Sequence, residues 1–93
     1  KKVILDCLNN YLQEFKEKYN VEQIGLFGSY ARDEATENSD IDIFVKMPPK
    51  MFDRIAIKNL LQEELGKEVD IVREHKHIDS LLIEMIQKDI IYV

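Results

Sequence analysis

Asp40-Ile41-Asp42 places two carboxylates two residues apart, and Asp70 stands between Val69 and Ile71 further along the chain. On a strand, residues two apart share a face, so Asp40 and Asp42 point the same way while Ile41 and Ile43 point into an apolar layer. Asp70 shares that arrangement, alone on the face opposite Val69 and Ile71. If the two strands pair, three carboxylates converge. Carboxylates about 6 Å apart repel by roughly 2–3 kcal/mol per pair at an effective dielectric of about 20, a large fraction of a small domain's stability of about 5–15 kcal/mol. A hard divalent cation such as Mg²⁺ relieves such repulsion, because it takes oxygen ligands from a few carboxylates and completes its shell with the phosphates of a substrate. Spacing alone is equally compatible with one protonated Asp, or with hydrated acids at a loop edge.

Gly28-Ser29 closes an apolar run and opens a polar turn. Free backbone N–H groups at such a turn suit a phosphate, glycine permits close approach, and the Ser29 hydroxyl adds a donor. Taken singly, the pair reads as well as a strand-ending turn with a serine cap. The combination is more specific: Gly28-Ser29, ten residues, Asp40-Ile41-Asp42, then a strand acid at Asp70. With Tyr30-Ala31-Arg32 and Ser39 to Val45 it resembles the minimal nucleotidyltransferases of the DNA polymerase β-like superfamily, over almost the whole chain.

That resemblance implies a polymerase β-like nucleotidyltransferase fold of the α+β (α/β) class, a small mixed three-stranded sheet flanked by about four helices in the order αβαβαβα. It implies one nucleotidyltransferase domain over residues 1–93. By the same resemblance Gly28 and Ser29 hold the triphosphate of ATP, Asp40 and Asp42 bind two Mg²⁺ ions, and Asp70 is the third metal-binding and catalytic acid. Arg32 matches the family's Gly-Ser-x-Ala-Arg segment and would contact phosphate or anchor the acidic loop; a surface ion pair with Asp33 or Glu34 is the alternative. The chain departs from the pattern at Asp33, where the branch usually has Gly; Asp enters the left-handed region less readily than Gly, but more readily than most residues.

The family reading extends to a protein adenylyltransferase that serves as the antitoxin of a HEPN-domain toxin, modifying a tyrosine of it. Two alternatives stay open: an antitoxin that occludes its partner without turnover, and a nucleotidyltransferase with a small-molecule acceptor such as an aminoglycoside, completed by a homodimer or partner subunit.

The elements that must position these residues are legible as periodicities. Ile4, Leu8, Tyr11, Leu12, Phe15 and Tyr19 recur at helical steps and predict a first helix over residues 3–19. Val21 to Phe27 reads as a strand, and Ser29 to Arg32 as a brief helical turn fading into a polar loop. Ile41, Ile43, Val45 and Met47 alternate as a second strand that Pro48-Pro49 ends. Phe52 to Leu65 reads as a helix stopped by Gly66, Val69 to Val72 as a third strand, and Ile78 to Ile86 as a last helix capped by Asp79.

Composition narrows the partners. Thirteen Lys and Arg stand against eighteen Asp and Glu, a net charge of −5, the wrong sign for tracking a nucleic acid. Between Arg32 and Asp42 one cation faces five carboxylates, so most of the excess charge lies beside the proposed site. A single cysteine, Cys7, excludes an intrachain disulfide and suggests a buried packing residue in a reducing compartment. No apolar run reaches membrane-spanning length, so a cytoplasmic location without membrane contact is expected.

Several residues carry less chemistry. His75 and His77 lack a third ligand for zinc and read as a solvated turn. Tyr30 reads as packing under its loop rather than stacking on a base. Lys46, Lys50, Arg54 and Lys58 could present positive charge near the mouth of the site, but with Glu63 and Glu64 in the same segment they read rather as the solvated face of the helix after the prolines.

Overall fold

The computed structural model describes residues 1–93. Its elements are α1 (Lys2–Tyr19), β1 (Gln23–Phe27), β2 (Ile41–Lys46), α2 (Met51–Leu65), β3 (Val69–Arg73), α3 (Ser80–Asp89) and β4 (Ile91–Tyr92). The strands form one sheet in the order β3-β2-β1-β4. β1 runs antiparallel to β2 and to β4, whereas β2 and β3 are parallel. A parallel pair needs a crossover of a dozen or more residues, and α2 supplies it.

Local chemistry sets the boundaries. α1 ends where Asn20 takes a left-handed conformation (φ 56°), its N–H donating to the Phe15 carbonyl. α2 ends the same way at Gly66 (φ 66°), with the N–H bonded to Gln62 O. Gln62 also accepts from the Val69 N–H at 3.1 Å, tying the end of α2 to the start of β3. The Asp79 side chain caps α3, accepting from Leu81 N–H at 2.8 Å.

The core lies on one face of the sheet. Ile24, Leu26, Ile41, Ile43, Val45 and Val69 pack there against Ile4, Leu8 and Phe15 of α1 and Ile57 and Leu61 of α2. Cys7 is half-buried at the margin of this cluster rather than inside it. The opposite face carries Gly25, Asp42 and Phe44, and α3 approaches it. A β-carbon on Gly25 would lie 2.9 Å from the Ile90 side chain, so this glycine is what lets the end of α3 come down on β1.

Two differences from the expected order stand out: the molecule has one helix fewer and one strand more. The segment after Gly28 makes a turn rather than a helix, because Asp33 at φ 60° reverses the chain before a second helical bond can form. The added strand is Ile91–Tyr92, which pairs with Gly25 and Leu26, while Val93 N–H bonds to Ile24 O at 3.1 Å. No helix is long and apolar enough to cross a membrane.

Candidate active site

The turn that leaves β1 is built around Gly28, at φ 79°. A side chain there would be strained by that angle, and its β-carbon would also run into the Asp42 carboxylate, whose Cγ lies 3.0 Å from that position. Glycine is therefore what allows the acid of β2 to sit against the turn. The turn is closed by Arg32 N–H to Gly28 O (3.1 Å), Asp33 N–H to Tyr30 O (3.3 Å) and Glu34 N–H to Ser29 O (2.9 Å). Ala31 is buried and Tyr30 packs against the core, so the turn is fastened from beneath, as expected for Tyr30.

No backbone carbonyl accepts from the N–H groups of Ser29, Tyr30 or Ala31. Three successive N–H groups without a backbone acceptor, next to a glycine, are donors of the kind that receive phosphate oxygens. Asp33 takes the left-handed angle that glycine would take, and its carboxylate is met by Lys1 Nζ at 3.2 Å. Lys1 also donates to the Ala31 carbonyl at 3.2 Å, which pins the turn to the start of α1.

β2 and β3 pair in the register that sets Asp42 directly beside Asp70. Asp42 is half-buried, Asp70 is exposed, and Asp40 is exposed on the loop just before β2. Burial holds the Asp42 carboxyl above the ordinary carboxylate range, and the negative charges of Asp70 and Asp40 push it further; Arg32 pulls weakly the other way. The three acids are thus electrostatic neighbours as expected, although Asp40 lies on the loop before β2 rather than on the strand the spacing suggested. Their side chains do not close into a three-ligand group by themselves. An acid pair on adjacent strands, beside a glycine turn with free N–H donors and with no cation ion-paired to either acid, is a donor set that fits Mg²⁺, which takes one or two carboxylates and completes its shell with phosphate oxygens and water.

Arg32 is ion-paired to Glu34 at 3.0 Å and to Asp89 of α3 at 3.2 Å. It therefore bridges the turn to α3 and lines a cavity of ≈ 270 Å³ with Phe27, Gly28, Leu82 and Met85. The bond to Asp89 was not visible in the sequence, since the partners are 57 residues apart. On the other side of the acids, Arg54 and Lys58 line a cavity of ≈ 240 Å³ together with Asp70. The solvated helix face expected for these two cations is in fact the wall of a recess at the third carboxylate. His75 and His77 are exposed, and His75 Nδ1 accepts from the His77 N–H, a local turn contact.

Residues 8–93 match the family of nucleotidyltransferase domains. A candidate protein adenylyltransferase of Methanocaldococcus jannaschii is 37% identical over 92 residues, covering 97% of this chain and 94% of that protein. The protein adenylyltransferase MntA of Thermococcus cleftensis is 34% identical, over 97% and 92% of the two chains. The structure of a candidate minimal nucleotidyltransferase superposes with a TM-score of 0.76 at 29% identity, over 94% of this chain and 90% of that one. A toxin–antitoxin structure with AMP-PNP shares the fold at a TM-score of 0.72 and 24% identity, over 90% of this chain and 69% of that one.

Proposed function

The chain belongs to the nucleotidyltransferase domain family, and from that premise we propose that residues 1–93 act as one domain that transfers AMP from ATP to a hydroxyl of a partner protein. The partner proposed is a HEPN-domain toxin in the cytoplasm, which makes the domain an antitoxin. The observation that carries the chemistry is the junction of Gly28 with Asp42: the turn whose N–H groups lack backbone acceptors lies directly against the acid that pairs in register with Asp70.

In this reading the N–H groups of Ser29, Tyr30 and Ala31 and the Ser29 hydroxyl hold the triphosphate and fix the direction of the leaving group. Arg32, kept in place by Glu34 and Asp89, adds positive charge at the same turn. The cavity between Phe27 and α3 offers the nucleoside an apolar wall beside it. Mg²⁺, held by Asp40, Asp42 and Asp70, would supply charge neutralisation to the attacking and leaving oxygens, with two ions the expected number. Asp70, exposed on β3, orients the acceptor hydroxyl and takes its proton. The hydroxyl oxygen bonds to the α-phosphorus, the bond from that phosphorus to the β-bridging oxygen breaks, and pyrophosphate leaves.

The test is incubation with α-³²P-labelled ATP, Mg²⁺ and the protein encoded by the neighbouring gene. Label should appear on the neighbour and fall at least about 100-fold in Asp40→Ala, Asp42→Ala, Asp70→Ala and Gly28→Ala. A tight complex without label, retained by all four variants, would instead establish neutralisation by occlusion.

A further inference from the structure

We infer that Arg54 and Lys58 are acceptor-selecting residues that seat an acidic segment of the partner protein, so that a hydroxyl carried beside it reaches Asp70. The inference deepens the adenylyl-transfer reading and rests on it for the role of Asp70.

Arg54 and Lys58 stand one turn apart on α2 and share the ≈ 240 Å³ recess with Ile55, Ile71 and Asp70. β3 is an edge strand, so the recess opens outward at the rim of the sheet. The strand order β3-β2-β1 places it on the far side of Asp42 from the Gly28 turn. A nucleotide whose phosphates lie on the turn leaves this side for the attacking group.

The charge pattern is what selects the partner. Acids outnumber bases by eighteen to thirteen, yet neither Arg54 nor Lys58 takes part in an ion pair; the pairs involve Lys1, Arg32 and Lys46. Lys50 and Arg73 extend the same basic surface around an adjoining cavity of ≈ 180 Å³ that Arg54 also lines. Arg73 is fastened there by the Met47 and Glu74 carbonyls at 3.2 and 3.1 Å. Next to the carboxylate cluster of an acidic chain, this surface is where unpaired cations adjoin the third acid, so local reversal of sign beside the site both attracts an acidic acceptor and orients it. Met51 and Ile55, 57% and 41% exposed on the same side of α2 and lining these cavities, add apolar anchors beside the cations. Cations flanked by exposed apolar side chains fit an acidic amphipathic segment.

A glutamate–tyrosine copolymer, which carries both the acid and the hydroxyl, is the probe, with a lysine–tyrosine copolymer as its opposite. Binding is read by fluorescence anisotropy, and nucleotide affinity is read separately with a fluorescent ATP analogue. The glutamate–tyrosine polymer should bind and weaken as salt rises from about 50 to about 300 mM, whereas the lysine–tyrosine polymer, drawn to the chain's acids elsewhere, should not weaken in the variants that follow. Arg54→Glu/Lys58→Glu should weaken it about tenfold or more while leaving the ATP analogue within about twofold. Arg54→Gln/Lys58→Gln gives the same comparison by charge removal should the double reversal fail to fold. Equal polymer binding by wild type and variants would overturn the inference. So would an unchanged polymer affinity with weakened ATP-analogue binding, which would assign these cations to the nucleotide's phosphates. Because both readouts are equilibrium binding, absence of AMP transfer would count against the proposed activity without touching this result.

Discussion

Along β2, Ile41, Ile43 and Val45 are closed to solvent on one face, while on the other Asp42 lies beside Asp70 and against the Gly28 turn. The first face is packed by two helices with apolar side chains alone; no polar or charged residue is fully buried anywhere in the chain. The second face combines like charges, a positive-φ turn and unpaired N–H groups. Adjacent residues of one strand thus do opposite work. The apolar face supplies the stability that lets the other hold an arrangement which by itself would relax, a division common where a small fold must keep a polar site in shape.

Truncation of the packed face should produce the largest effect. Ile43 is fully buried at the middle of β2, between Leu26 and Ile71 in register. Ile43→Ala removes buried methyl groups and leaves a cavity that its neighbours fill only in part, a loss of about 2–5 kcal/mol from a total of about 5–15. Urea unfolding would show the midpoint falling with an unchanged slope. A loss under about 1 kcal/mol would mean that the sheet does not depend on this face, and the contrast between the faces would collapse.

The polar face should respond in the opposite direction. Burial and the charges of Asp70 and Asp40 raise the Asp42 carboxyl above its ordinary range, so the folded state holds that proton more tightly than the unfolded chain does. Stability contributed by the protonated form is therefore complete in acid and is lost as pH rises from the ordinary carboxylate range through the raised value. Asp42→Asn cannot ionise, so at neutral pH it should melt above wild type while AMP transfer is lost. The gap should close below the ordinary carboxylate range, where the wild-type acid is neutral too. Mg²⁺ at neutral pH should raise the wild-type melting temperature and leave Asp42→Asn nearly unmoved. A variant less stable than wild type at pH 7 would show that the carboxylate is structural, contrary to its environment.

The two faces also differed in how far they could be read beforehand. The period-two run from Ile41 and the helical spacings of α1 and α2 are properties of neighbouring residues, as are Gly66 and Asp79 at helix ends, and each was legible. Asp40, Asp42 and the Gly28-Ser29 turn were legible as types and spacing. Their union was legible only as a condition, or through the family resemblance, because the pairing of Asp42 with Asp70 depends on β2 and β3 lying side by side in one register. The recess of Arg54 and Lys58 follows from the same pairing, so of the two readings open for these cations, charge near the site and a solvated helix face, the less favoured one describes the border with Asp70. β4 escaped because two residues carry no measurable alternation; the run Ile90-Ile91-Tyr92-Val93, rich in β-branched and aromatic side chains, was the only cue. The turn after Gly28 read as helical because its first residues do bend that way, and only the positive φ at Asp33 ends it.

Arg32 lies on the seam between the regions, and its contribution should be the smallest. Its guanidinium reaches Glu34 at 3.0 Å and Asp89 at 3.2 Å while remaining largely in solvent, where entropy and screening offset most of the attraction. A double-mutant cycle with Arg32→Ala and Asp89→Ala should give a coupling below about 1 kcal/mol in stability, shrinking further in high salt. The same pair spans the turn and α3 and closes the cavity beside Gly28. If it holds that wall in place, Asp89→Ala should raise the KM for ATP several-fold, although it leaves Arg32 itself present to meet phosphate. An unchanged KM in Asp89→Ala together with a raised one in Arg32→Ala would place the arginine on the nucleotide directly and reduce Asp89 to a surface partner.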